Sequence, residues 1–348
     1  MKIKVFGSRL ALAVFSVLAG LLVFGSAANA TQPECKVINQ TQDVAYNSNA
    51  STDPLGSAIS RARSGDTLKV IGTCYGNFVI DKDLTITGRP SSEHRDVIDG
   101  NGSGFVLMTT AGIELEIDHL VIRNGNYFAY GGGISNDRAT LLVSDTIVTG
   151  NEADSGGGIF NGGGTVTLVN STVAGNTAGY SSGGIENNNY NDEVGTLTLV
   201  NSIVSNNSAF KFGGLSNYGV ATITDSTMSG NTAERGGGGI SNSRTLVLTR
   251  SLVAANFSDM GGGIWNDGSA ALTDTRVTGN TASITGGGIF NSEGFGTYAL
   301  YGRSTVSGNA PNAGQGEGVH HRWRTDAPRL ARQGQAAKAI DGTKSLSI

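Results

Sequence analysis

Two sets of side chains recur at fixed places in this sequence and could do chemistry. The first is a polar column, Asp145, Asn170, Asn201, Asp225, Arg250, Asp274 and Arg303, each six residues ahead of an asparagine. Paired carboxylates can act as acid and base on a glycosidic bond when about 5 to 9.5 Å apart. Here the last four members alternate in sign, and on successive strands Asp225 and Asp274 would stand roughly 9.6 Å apart with an arginine between them. That alternation is expected of a charge ladder, in which opposite neighbours add about 0.2–1 kcal/mol per exposed pair.

The second set is Ser135, Phe160, Glu186, Ser216, Ser241, Trp265 and Phe290, each lying between an aliphatic residue and an asparagine. A column that admits Glu186 is expected to face water. Phe160, Trp265 and Phe290 are then the candidate ligand-binding residues, since exposed rings stack on sugar faces or on a protein partner. The competing reading is an aromatic ladder that only covers the sheet. The asparagines themselves, Asn136, Asn161, Asn187, Asn217, Asn242, Asn266 and Asn291, are expected to stack as amides bonded to one another and to the backbone.

The elements that must position these columns are set by a repeat. A glycine pair or triplet, then Ile134, Ile159, Ile185, Leu215, Ile240, Ile264 or Ile289, recurs at steps of 25, 26, 30, 25, 24 and 25 residues. Such a period marks a solenoid whose coils bury their apolar faces only by stacking. The constant six-residue spacing of the polar phrase requires a strand and corner held in register, because a one-residue slip turns every side chain over. Segments such as 165–169 and 245–249 alternate apolar and polar residues, as half-buried strands do. The extra residues at 188–194 and 292–296 must loop out from one corner.

The expected fold is therefore all-β: a parallel β-helix of about ten coils, each with three short strands. Earlier strands are expected at 67–71, 78–80, 84–87, 105–109 and 113–122. Ahead of them, Asp53-Pro54 followed by Leu55, Ala58, Ile59 and Ala62 predicts a short amphipathic helix that caps the open end.

Composition bounds the rest. Residues 1–30 carry Lys2, Lys4 and Arg9, an apolar run at 10–24 and Ala28-Asn29-Ala30, the layout of a secretory signal peptide. The formal charge of −4 becomes −7 once those residues are removed, which argues against a nucleic-acid partner. No other segment is long and apolar enough for a transmembrane helix. Cys35 and Cys74 are the only cysteines; they either pair as a disulfide in an oxidising compartment or stay as two thiols. The domain layout is a signal peptide (1–30), an N-terminal segment with its capping helix (31–66), the β-helix (67–311) and a basic tail (312–348). After Asn309 the repeat fails, and His320-His321 stands where the anchor phrase is due. The tail is either a cap or extension, or the product of a broken reading frame.

Between Asp53 and Asn309 the chain resembles the right-handed parallel β-helix proteins of the pectin-lyase-like superfamily. Gly230-Asn231-Thr232-Ala233 leading to Gly237-Gly238-Gly239-Ile240 is similar to the repeats of polymorphic outer-membrane proteins and related bacterial surface proteins. The chain departs from them in its glycines where alanine is usual, in Val, Ile or Met where phenylalanine is usual, and in lacking a span that resembles an autotransporter barrel. Glu116-Ile117-Asp118-His119 is similar to an Ile-Asp-His stretch of pectate lyases, which makes Asp118 and His119 the weak catalytic candidates. No aspartates are clustered as in the Ca²⁺ site of those lyases, and neither Gly-His-Gly nor calcium nonapeptides occur. No metal or other cofactor is expected, with Ca²⁺ the one weak candidate.

The resemblance implies an exported bacterial protein, secreted, at the cell surface or in the outer membrane, adhesin-like or polysaccharide-binding. Its partner would be a polysaccharide or a cell surface. The alternative is a polysaccharide lyase or glycoside hydrolase acting in the lateral groove.

Overall fold

One coil shows how the sequence makes the fold. Strand Thr140–Ser144 buries Leu141 and Val143, Ile147–Thr149 buries Val148, Glu152–Ser155 buries Ala153, and Ile159–Gly162 buries Ile159. Each strand pairs in parallel with its counterpart one repeat later, Thr140 with Thr165, Ile147 with Thr172, Glu152 with Thr177 and Ile159 with Ile185. The protein, described here by a computed structural model covering residues 34–47, 53–91, 95–311 and the backbone of 321–322, is a parallel β-solenoid. The expected signal peptide and nearly all of the basic tail lie outside the described residues.

Stacking produces four sheets of 13, 10, 7 and 9 strands, named first to fourth in the order the chain visits them within a coil. The nine-stranded sheet gives about nine turns, against about ten expected. The repeating coil carries four strands rather than three. The unexpected one belongs to the third sheet, as in Asn126–Tyr130 and Thr177–Ser181. It lies between the closing asparagine and the glycines, where a register shift interrupts pairing between Ala178 and Ser181 and blurs the two-residue alternation.

The polar column lies at a corner, in a left-handed backbone conformation. Asp145, Asn170, Asn201, Asp225, Arg250 and Asp274 occupy the corner between the first and second sheets with φ between 47° and 51°. Asn and Asp tolerate this left-handed region better than most residues, which accounts for the column's composition. His119, φ 55°, continues it toward the N-terminus and splits the expected strand 113–122 into Glu114–Asp118 and Leu120–Arg123.

Buried amides hold two of the other corners. Along the fourth sheet Nδ2 of each asparagine donates to Oδ1 of the next, from Asn136 through Asn161, Asn187, Asn217, Asn242 and Asn266 to Asn291, at 2.7–2.8 Å. A second ladder runs from Asn151 through Asn176, Asn207, Asn231, Asn256 and Asn280 to Asn309 at 2.9–3.0 Å. Each of its members but the last also donates its backbone N–H to the next asparagine's Oδ1. Interior polar groups need such partners, so a buried asparagine is retained once per coil at each corner.

At the N-terminal end, Lys36–Asn39 and Val44–Asn47 extend the first sheet in antiparallel fashion. Helix Pro54–Arg61 starts on Asp53, whose Oδ1 accepts from Gly56 N at 2.8 Å, and buries Pro54, Leu55, Ala58 and Ile59 against these first strands. Cys35 and Cys74 form a disulfide, both sulfurs belonging to buried residues. Among the described residues no helix is long and apolar enough to cross a membrane. The insertion at 188–194 loops out between the fourth and first sheets, with the Arg138 guanidinium 5.5 Å from the Tyr190 ring centroid.

Candidate functional site

The column Ser135, Phe160, Glu186, Ser216, Ser241, Trp265, Phe290 points away from the core, because each member follows a buried aliphatic residue and precedes a buried asparagine. It does not face open water as expected. Ser135, Glu186, Ser216 and Ser241 are buried and the three aromatic members are half-buried. The cause is the glycine corner just before it. Gly131, Gly156, Gly261 and Gly286 have φ of 62–76° and turn the chain so sharply that a Cβ there would strike the backbone or Cβ three or four residues ahead. Where these glycines stand, the end of the third-sheet strand is folded against the outer face of the fourth sheet, and the column becomes the mostly covered floor of that corner.

On that floor the aromatic residues do not form one stripe. Phe160 stacks on Tyr130 of the preceding coil, with centroids 4.7 Å apart and planes at 28°. Trp265 and Phe290 are register partners with centroids 5.0 Å apart, and the indole Nε1 donates to Asp267 Oδ1 at 2.7 Å. Between these two platforms lie the polar positions Glu186, Ser216 and Ser241. From Phe160 to Trp265 is four coil steps, about 19 Å, so a ligand touching both would be an extended one. Tyr180, with Lys211 donating to its hydroxyl at 2.8 Å, stands exposed on the third sheet.

Glu186 is the groove's unusual member. Its residue is 4 % exposed, Oε1 accepts from Asn188 Nδ2 at 3.2 Å, and Oε2 has no partner in the protein. Burial pushes the carboxyl up to about 7, against the smaller opposing pull of Ser181 and Asn188. The hydroxyls of Ser181, Ser182 and Ser216 are likewise buried and make no hydrogen bond of full geometry, although Ser181 lies close enough to act on the Glu186 carboxyl and Ser216 on the Tyr218 phenol.

Asp118 and His119 lie elsewhere, at the corner between the first and second sheets, and are brought together. His119 Nδ1 sits 2.7 Å from Asp118 Oδ2, and Asp118 also accepts from Ser144 Oγ at 2.9 Å and Thr87 Oγ1 at 3.3 Å. Adjacent residues in one strand point to opposite faces, and the left-handed conformation of His119 is what lets the imidazole turn back onto its neighbour. A carboxylate on Nδ1 orients the ring and leaves Nε2 available as a base. Asp145 joins them, with one ligand atom from each of the three within 4.8 Å of the others. That donor set suits a divalent cation bound through imidazole and carboxylates. The Arg95 guanidinium bonds the Asp145 carbonyl oxygen at the same corner and opposes an added positive charge.

Further along this corner Arg250 grips Asp225 through two bonds of 2.7 Å and lowers the pKa of its carboxyl. Arg303 stands 3.9 Å from Asp274. These pairs are exposed, so they tune the ladder weakly. A polar cleft of about 500 Å³ near Tyr75, Asp99, Arg123 and Glu152 has its main charges satisfied internally, Asp99 accepting from Arg123 Nε at 2.8 Å and from Asn124 Nδ2 at 2.9 Å.

Sequence reasoning placed Phe160, Trp265 and Phe290 on one column but missed both Tyr130 and the burial of Glu186. The available signal was the glycine pair directly ahead of each aliphatic anchor, such as Gly132-Gly133 and Gly157-Gly158, where an added Cβ would strike the next coil's backbone. Comparison with known proteins finds no matching family profile, no matching curated protein and no matching solved structure.

Proposed function

We propose that this is an exported bacterial surface or secreted protein whose lateral groove binds an extended polysaccharide or the glycan of a cell surface. The observation that carries this reading is the Trp265–Phe290 pair, two half-buried rings on adjacent coils facing the groove. Aromatic faces stack on apolar ring surfaces while polar neighbours such as Asp267 meet hydroxyls. The Phe160–Tyr130 stack offers a second platform on the same groove. Export is supported by the signal-like residues 1–30 and by the Cys35–Cys74 disulfide, which suits an oxidising compartment. The resemblance to right-handed pectin-lyase-like helices and to outer-membrane protein repeats supports an adhesin-like role, with helix Pro54–Arg61 as the cap of the first coil.

The test is retention on a panel of immobilised polysaccharides by the wild type, by Trp265→Ala with Phe290→Ala, and by Phe160→Ala. Loss of retention in the double variant supports the groove; unchanged retention removes it as the binding site.

A second reading, cleavage of a polysaccharide, draws on the Asp118-oriented imidazole of His119 beside Asp145. It expects release of unsaturated or reducing oligosaccharides that ceases in Asp118→Asn. Absence of such release from every polysaccharide of the panel sinks it.

A further inference from the structure

Three irregularities coincide on two adjacent coils of the groove. The first is the buried, half-partnered carboxyl of Glu186. The second is a set of three buried hydroxyls that make no hydrogen bond of full geometry, Ser181 and Ser182 just ahead of Glu186 and Ser216 as its register partner on the next coil. The third is backbone: the corner position that is glycine in the neighbouring coils is Ser182, φ 55°, and then Phe212, φ 58°. Each buried polar atom without a partner costs about 1–3 kcal/mol, and strained corners of this kind gather where a segment has two arrangements.

We propose that Glu186 is a proton-operated switch in the groove floor, neutral and folded beneath its neighbours in acid, ionised and turned out into the groove in base. A neutral carboxylic acid can remain in this pocket on one hydrogen bond from Asn188. A carboxylate is held poorly there, since only the weaker pull of Ser181 and Asn188 opposes burial, Oε2 makes no bond of full geometry and no cation touches it. Leaving the pocket relieves that conflict and places a negative charge between the two aromatic platforms.

The surrounding charges permit this movement. Tyr218, whose phenol is pushed up by burial, stays neutral across the range in question and faces both Ser216 and Glu186. Lys211 acts on Tyr218 and is held by the exposed Tyr180, 4.6 Å from its ring centroid, so a cation is available at the groove wall for the emerging carboxylate. Phe160 on the preceding coil contributes no charge. The inference stands whether or not the groove binds polysaccharide, because it concerns the unliganded protein.

The experiment is hydroxyl-radical footprinting of Tyr218 and Asn188 at pH 6 and pH 8 in the wild type, Glu186→Gln and Glu186→Ser, with serine chosen because neighbouring coils carry it in this column. The expected result is a several-fold rise in labelling of Tyr218 from pH 6 to pH 8 in the wild type, absent from both variants. Equal labelling at the two pH values in the wild type overturns the proposal. So does a rise that persists in either variant.

Discussion

Asn187 Nδ2 donates to Asn217 Oδ1 at 2.8 Å although thirty residues separate them in sequence. Asn217 in turn donates to Asn242 Oδ1 at 2.8 Å and to the Thr245 carbonyl at 2.8 Å. One side chain thus joins three coils, and its removal leaves buried groups on two neighbours.

Asn217→Ala is accordingly expected to destabilise the protein by about 2–4 kcal/mol, since each newly unpartnered buried group costs about 1–3 kcal/mol. Asn217→Asp, isosteric but unable to donate to Asn242, is expected to be at least as damaging. Urea unfolding followed by circular dichroism measures both. A loss under about 0.5 kcal/mol, the size of an ordinary surface substitution, contradicts the ladder's structural role.

Much of this was legible before the structure. The 25-residue step fixes the solenoid because isoleucines such as Ile159 and Ile185 can all be buried only if successive coils stack, and they do so as register partners. The stacked amides were legible for the same reason. The third sheet was not, since Thr177–Ser181 carries a single buried alanine, a glycine and an exposed tyrosine rather than an apolar alternation. Without that strand nothing in the sequence indicates that the chain folds back at Gly156 and covers the column, so the pattern places Glu186 toward solvent. The left-handed backbone of Asp145 and Asn170 is hidden as well, because polar residues are common both at strand ends and in left-handed turns.

The disulfide is expected to act locally. Cys35 and Cys74 close a loop with a sequence separation of 39 that contains the helix Pro54–Arg61. Chain-entropy reasoning gives about 3–5 kcal/mol for such a loop, but in a solenoid each coil contacts only its neighbours. Reduction, or Cys35→Ser with Cys74→Ser, should lower amide protection in Lys36–Asn39 and Asp66–Ile71 while leaving Thr245–Thr249 unchanged. Hydrogen exchange resolved by segment checks this. Uniform loss across all of these strands would instead indicate one cooperative unit.

Ser182 offers a stabilising substitution. It holds φ at 55° where Gly156 and Gly131 stand in the preceding coils, and its buried hydroxyl lacks a partner. A left-handed L-residue costs about 1–2 kcal/mol, so Ser182→Gly is expected to raise stability by about 1 kcal/mol, part of the gain being lost to the greater freedom of glycine in the unfolded chain. The urea midpoint should rise with an unchanged slope. A fall would show that the serine side chain supports the corner in a way its missing hydrogen bond does not suggest.

Glu186 makes stability depend on pH in a definite window. Its folded-state carboxyl is raised by burial from 4.5 to about 7, so between those values the unfolded chain has released the proton while the folded chain retains it. The folded state then binds more protons, and stability falls as pH rises through the window. Its contribution is fully present below about 4.5 and gone above about 7. At about 1.4 kcal/mol per pK unit the loss reaches at most about 3.5 kcal/mol. Outward turning of the carboxylate caps it lower, because a solvated carboxylate no longer bears the burial penalty. Urea midpoints measured from pH 4 to pH 8 should therefore decline in the wild type relative to Glu186→Gln, most of the difference falling between pH 5 and pH 7. If the two curves run parallel, the carboxyl titrates normally and is not held in its pocket as a neutral acid.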